Sequence, residues 1–317
     1  MKKSLTKIMM FEQFMQEAYV REEFQKVMIT RRKRLKNSFI TGPDYSTRDY
    51  WVIAVRDDKD SSIKKDLPVL NYDTETLQKF LKSGAIREKQ VYNWIDAKKR
   101  VASKSEFYKL HAKSPYIIPT VFDPKDISEL KFPIVAKPDN NHSGLGIQVF
   151  DTQEDMDKAD LRQFTSFGEK IDIKQEYRFF LWRGEILQWC TRIPMDEETE
   201  DIGEKDPEDE TNFGYTLMKG SPSDAFLKAC DYFIEQHYDL DFYAIDIAVD
   251  KKDKIYVFEM NSEPGALFGV MSMVYQRIYQ DYYQTQISGD TEKLLKEFRD
   301  ADIKQNMKQN PNWKVQK

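Results

Sequence analysis

Three stretches of the chain share one pattern: two runs of alternating apolar and polar residues joined by a short polar turn. That is the period-two signature of an antiparallel hairpin. The first, "FPIVAKPDNNHSGLGIQVF" (132–150), ends its first strand on Lys137 and turns through a polar, glycine-containing loop. The second, "KQEYRFFLWRGEILQWCTRI" (174–193), turns at Arg183-Gly184, and the third, "FYAIDIAVDKKDKIYVFEMN" (242–261), turns through lysines. Helical spacing marks "TETLQKFLKSGA" with its glycine stop, the stretch opened by Ser103 as a candidate N-cap, and "SDAFLKACDYFIEQHY". Pro115 and Pro119 are read as bracketing a short strand. A further helix after Gly265 carries Met271, Val274, Tyr275, Ile278 and Tyr282 on one stripe. A loosely held polar tail is expected from about Gly289.

Upstream, residues 1–40 read as helical and polar, and "TGPDYS" then signals a turn before the apolar strand "YWVIAV". The expected organisation is a helical segment 1–40, a small α/β domain 41–100, a main domain 101–285 and a tail 286–317. No internal repeat is evident.

Composition narrows the function classes. With 317 residues, 40% hydrophobic and 32% charged, the chain can build a sizeable core. No apolar run reaches bilayer length and the first residues lack a signal-peptide pattern, so a cytoplasmic protein without a membrane partner is expected. Cys190 and Cys230 lack metal-ligand spacing and fit a reducing compartment. His111, His142 and His237 are scattered, which argues against zinc or histidine-centred nucleophilic chemistry. A net charge of −5 argues against general nucleic-acid binding, although 31–37 is basic and 196–210 strongly acidic. Both read as solvated surface, with docking of an anionic macromolecule (31–37) and preference for a basic acceptor (196–210) as the sharper readings.

The third hairpin is the most constraining. Alternation puts Glu259 and Asn261 on a face with Val257, while Phe258 and Met260 face the core. A turn at Lys251–Lys254 sets Asp246 directly across from Glu259. Facing carboxylates repel unless a cation intervenes, and the all-oxygen donors of Asp246, Glu259 and Asn261 suit a hard ion such as Mg²⁺. The plainer reading is a polar strand face exposed to solvent. Lys137 alone reads as a snorkelling surface lysine; with Gly144 and Gly146 following, it suits a polyphosphate under backbone amides.

These residues, with Lys104 in "ASKSEFYKL", the loop "HSGLG", Glu169 and Glu176 in "FGEKIDIKQEYR", and the ending "EMNSEPG", resemble the ATP-grasp carboxylate–amine ligases over roughly 100–270. The resemblance implies an α+β fold in which two lobes, a nucleotide-binding one at about 101–170 and a large catalytic one at about 171–285, grip ATP, preceded by a small α/β domain. It further implies that Lys104 and Lys137 bind ATP phosphates under a lid spanning His142, Ser143, Gly144 and Gly146. Glu169, Lys170, Ile171 and Asp172 would form the hinge that meets adenine, and Glu176 would bind ribose. Asp246, Glu259 and Asn261 would hold one or two Mg²⁺ ions, with Mn²⁺ able to substitute, and Arg178 and Arg192 would contact the γ-phosphate or the substrate carboxylate. The implied activity activates a small-molecule, amino-acid or peptide carboxylate as an acylphosphate and joins it to an amine, releasing ADP and phosphate. Two other readings stay open, a nucleotide-binding regulatory or assembly protein and a phosphoryl transferase acting on a hydroxyl. The substrates and the oligomeric state are not legible.

Overall fold

The computed structural model describes residues 27–30, 52–55, 68–138, 146–194, 213–237, 239–264, 270–283 and 314–316, with a few isolated residues between 300 and 308. The basic stretch 31–37, the acidic stretch 196–210 and the loop residues His142, Ser143 and Gly144 lie outside them. Contacts divide the chain into two units, Met1–Ile95 with Gly265–Ile303, and Asp96–Pro264 with Lys304–Lys317. Residues 265–285, expected to continue the main domain, group with the N-terminal chain.

In the first unit, β1 (Val27–Thr30), β2 (Val52–Val55), β3 (Val69–Asn71) and β4 (Val91–Tyr92) pair in parallel in the order β2-β1-β3-β4. The strand β1 corrects the all-helical reading of 1–40: "VMIT" is mostly β-branched, and pairing on both sides overrides any helical spacing around it. The helix Thr74–Ser83 starts at Asp73, whose carboxylate accepts from Glu75 N–H, and stops at Gly84 with φ 69°. It buries Leu77 and Phe80 against Val69, Ile86 and Ile95. In the helix Val270–Tyr283, Met271, Val274 and Ile278 of the expected stripe are buried.

The second unit carries two sheets. The smaller joins β5 (Thr120–Val121), β6 (Ile134–Lys137), β7 (Gln148–Phe150) and β8 (Ser166–Glu169) in the antiparallel order β5-β8-β6-β7. Ile134, Ala136, Phe150 and Phe167 form its core with Met156 and Phe164. The strand expected between Pro115 and Pro119 instead begins after Pro119, because residues 115–117 form a turn and bend. The larger sheet joins β9 (Ile173–Trp182), β10 (Glu185–Pro194), β11 (Phe213–Leu217), β12 (Phe242–Asp250), β13 (Ile255–Asn261) and β14 (Lys314–Val315) in the order β13-β12-β9-β10-β11-β14. Its last strand corrects the loose tail: Lys314 and Val315 pair with Thr216 and Leu217, and Gln316 closes the edge on Leu217 and Lys219.

One face of the large sheet is core. Phe179, Ile245, Ile247, Val257 and Met260 pack there with Phe107 and Phe233 from the helices Lys104–Leu110 and Asp224–Ile234. Phe179 stacks on Trp189 at 5.5 Å and 6°. Among the described residues no helix is long and apolar enough to cross a membrane.

The Arg183-Gly184 turn sets the register of β9 against β10. Gly184 has φ 84°, and a Cβ there would lie 2.8 Å from Ile234 Cγ2. Gly184→Ala is therefore expected to cost about 2 kcal/mol, from left-handed strain plus overpacking. Thermal unfolding by circular dichroism checks it; an unchanged midpoint contradicts it.

Candidate active site

The other face of the large sheet carries the polar residues, in rows set by strand register. The central row runs Cys190, Arg178, Asp246, Glu259 across β10, β9, β12 and β13. A flanking row runs Tyr215, Arg192, Glu176 and Ala248. A third places Gln188 opposite Phe180, and Ala244 opposite both Phe180 and Asn261.

Asp246 does face Glu259, but by a route the sequence hides. The turn is one residue longer than expected, so Val249 pairs with Ile255; a bulge then inserts Phe258, because Ile247 pairs with Val257 while Asp246 pairs with Glu259. The two offsets cancel at the carboxylates and invert the strand before them. Val257 is core and fully buried, whereas Phe258 leaves the core for the site face, the reverse of the simple alternation. Asp250 fixes the longer turn by accepting from Lys252 and Lys254 N–H, both at 2.8 Å.

The facing carboxylates are compensated from the neighbouring strand. Arg178 donates through Nε to Asp246 Oδ1 at 2.7 Å and through an η-nitrogen to Oδ2 at 2.6 Å, a two-pronged pair with each side chain 16% exposed. Burial works against the Arg178 charge, yet the Asp246 carboxylate outweighs it and holds the guanidinium pKa high. Among the described residues Glu259 has no such two-pronged cationic partner. Burial, then the Asp246 charge, push its carboxyl above the ordinary 4.5, while Lys104 and Arg178 pull the other way.

Lys104, Lys137, Arg178, Asp246 and Glu259 thus converge. Lys104 opens the helix Lys104–Leu110 behind the Ser103 cap, whose hydroxyl accepts from Glu106 N–H. Lys137 shares a face of β6 with Val135, opposite the buried Ile134 and Ala136. Burial lowers the Lys137 pKa, and Glu259 opposes the shift. Asn261 stands on the same face of β13, its Oδ1 accepting from Glu263 N–H at 2.8 Å. The all-oxygen donor set and the under-compensated Glu259 beside Asp246 fit a hard divalent cation; among the described residues no group of three or more His, Cys, Asp or Glu side chains could hold one.

Glu176 accepts from Arg192 at 3.2 Å. Glu169 Oε1 accepts from Lys131 N–H, Lys170 N–H reaches Pro133 O at 2.8 Å, and Asp172 O accepts from Lys251 N–H at 2.9 Å. Ile171, between them, makes no backbone–backbone hydrogen bond among the described residues. Gly146 sits at the end of the loop with φ 69°.

Several participants escape sequence reading. Tyr215 lies beside Arg192 on the polar face; burial raises its hydroxyl pKa, and Arg178 and Arg192 oppose this. Gln188 keeps a buried Nε2 without a hydrogen-bond partner among the described residues. Lys98, 4% exposed, pairs with Glu263 at 2.5 Å just beyond Asn261. His111 and His237, expected to be scattered, meet with Nε2 atoms 2.8 Å apart. Burial brings both down to about 4, so at neutral pH they are an uncharged core pair beside Phe107 and Phe233.

No family model and no curated protein matches the chain. Solved structures do. A D-alanine–D-alanine ligase from Bacillus anthracis complexed with ATP is similar at 14% identity and a TM-score of 0.55, over 86% of this chain and 98% of that one. The ATP-grasp ligase PsnB complexed with a minimal precursor matches at 13% identity and 0.51, over 88% and 98%. A biotin carboxylase from Campylobacter jejuni matches at 10% and 0.53, over 85% and 69%. The fold is ATP-grasp.

The two facing carboxylates should respond oppositely to neutralisation. Glu259 has a raised folded pKa, so its contribution to stability is full below 4.5 and is lost as pH rises through the folded value. Glu259→Gln should therefore raise the metal-free melting temperature at pH 7.5 by a few degrees and flatten its pH dependence. Asp246→Asn strands the Arg178 charge and should cost about 3 kcal/mol. Differential scanning fluorimetry between pH 4 and 8 checks both signs.

Proposed function

We propose that the protein is an ATP-dependent carboxylate–amine ligase that forms an amide or peptide bond and releases ADP and phosphate. The observation that carries this reading is the convergence of Lys104, Lys137 and Arg178 on the facing carboxylates Asp246 and Glu259. Such a set neutralises polyphosphate through lysines while keeping oxygen donors for a cation.

In this reading adenine meets the hinge Glu169–Asp172. Glu176 takes the ribose hydroxyls, and Lys104 and Lys137 hold the phosphates, with the loop from His142 to Gly146 above them. Asp246, Glu259 and Asn261 would hold one or two Mg²⁺ ions, for which Mn²⁺ could substitute, and the cation would supply charge neutralisation for the phosphates. A substrate carboxylate oxygen attacks Pγ, the bond from Pγ to the β-phosphate oxygen breaks, and ADP leaves. An amine then attacks the acyl carbon, loses a proton and expels phosphate. Arg178, engaged by Asp246, acts by orienting that carboxylate, and Arg192 with Tyr215 faces the anionic substrate. No protein nucleophile is required, which suits the neutral His111–His237 pair and two buried free cysteines; the latter also suit the cytoplasm.

Incubation with Mg²⁺-ATP and a panel of carboxylates, amino acids and peptides, with hydroxylamine present, should give ADP, phosphate and a hydroxamate in equal amounts. AMP and pyrophosphate would overturn the reading, and a phosphorylated product stable to hydroxylamine would mark transfer to a hydroxyl instead. Lys137→Met should lower kcat/KM about 100-fold with the melting temperature retained.

A further inference from the structure

Phe258 and Tyr108 are aromatic residues whose rings meet at one lysine of the site, Phe258 from outside the core cluster and Tyr108 from its margin. Phe258 is the inserted residue of the β13 bulge, and its side chain leaves the core face that Val257 and Met260 occupy. Tyr108 lies one helical turn after Lys104, is 2% exposed, and has a hydroxyl without a hydrogen-bond partner among the described residues. Both rings meet the same cation. Lys137 Nζ stands 5.3 Å from the Tyr108 ring centroid and 5.8 Å from that of Phe258.

We propose that Tyr108 and Phe258 are positioning residues that form an aromatic floor for the Lys137 ammonium and aim it at the nucleotide's phosphates. Four rotatable bonds give a lysine many places to put its charge, and fixing one of them costs conformational entropy at binding unless the site has already done so. A ring face attracts an ammonium within about 6 Å without accepting its N–H groups as a carboxylate does. The floor therefore restrains Lys137 and leaves its donors for phosphate oxygens. It also explains the bulge: without the inserted residue, the side chain preceding Glu259 would point into the core, and no ring would reach Lys137 from β13.

The inference rests on the phosphate-binding role of Lys137, and it predicts a loss specific to phosphate. Equilibrium binding of Mg²⁺-ATP and of adenosine, measured by isothermal titration calorimetry without a second substrate, gives an ATP-to-adenosine affinity ratio for each variant. Tyr108→Leu should lower this ratio about tenfold with adenosine affinity within about twofold of wild type, and Tyr108→Phe, which keeps the ring, should restore it. Lys137→Met sets the reference loss. If Lys137→Met lowers the ratio and Tyr108→Leu does not, the floor is wrong while the reading of Lys137 stands. If Lys137→Met leaves the ratio unchanged, both fall. Equal loss of adenosine and ATP in Tyr108→Leu marks a structural role and overturns the proposal. Should Tyr108→Leu not fold, Phe258→Leu removes the other ring and is held to the same ratio.

Discussion

The contact between Arg178 and Asp246 is the constraint on which the site depends. Asp246 and Glu259 face one another on adjacent strands, an arrangement that by itself opposes pairing of β12 with β13. Because β9 lies on the other side of β12, the Arg178 fork reaches both oxygens of Asp246. One carboxylate is thereby compensated and locked in place. The other, Glu259, is left with an excess of negative potential that its burial magnifies. The sheet therefore keeps one under-compensated carboxylate where lysines from two other elements, the helix Lys104–Leu110 and β6, can share it.

That arrangement places opposing demands on the two halves of the site. The core face of the large sheet is a largely apolar layer, from Phe179 and Trp189 to Val257 and Met260, and supplies the rigidity that holds strand register. The polar face depends on that register, since a one-residue slip would carry Asp246 and Glu259 to opposite faces. The β13 bulge reconciles the two. It sends Phe258 to the polar face, returns Val257 to the core, and leaves Glu259 opposite Asp246.

Much of this was legible in the sequence, and the failures have identifiable causes. The three hairpins, the Ser103 cap and the Gly84 stop follow from period and local chemistry. The facing of Asp246 and Glu259 followed from counting across a turn, although the count was right only because a longer turn and a bulge offset each other. The role of Arg178 toward Asp246 was out of reach, because nothing in the chain says that β9 neighbours β12. Lys98 with Glu263 and His111 with His237 are pairs separated by 165 and 126 residues, so only tertiary packing brings them together. The strand Val27–Thr30 failed for the opposite reason: pairing with two neighbours decided a segment whose local pattern pointed to helix.

The central claim is that Asp246, Glu259 and Asn261 face a metal–nucleotide site supplied with cations by Lys104 and Lys137. A crystal structure with Mg²⁺ and a non-hydrolysable ATP analogue tests it most directly. The account predicts a metal ion with oxygen contacts from Asp246, Glu259 and Asn261 and phosphates within hydrogen-bond distance of Lys137 Nζ. Nucleotide bound elsewhere on the chain, or phosphates held away from Lys137 and Glu259, would contradict it.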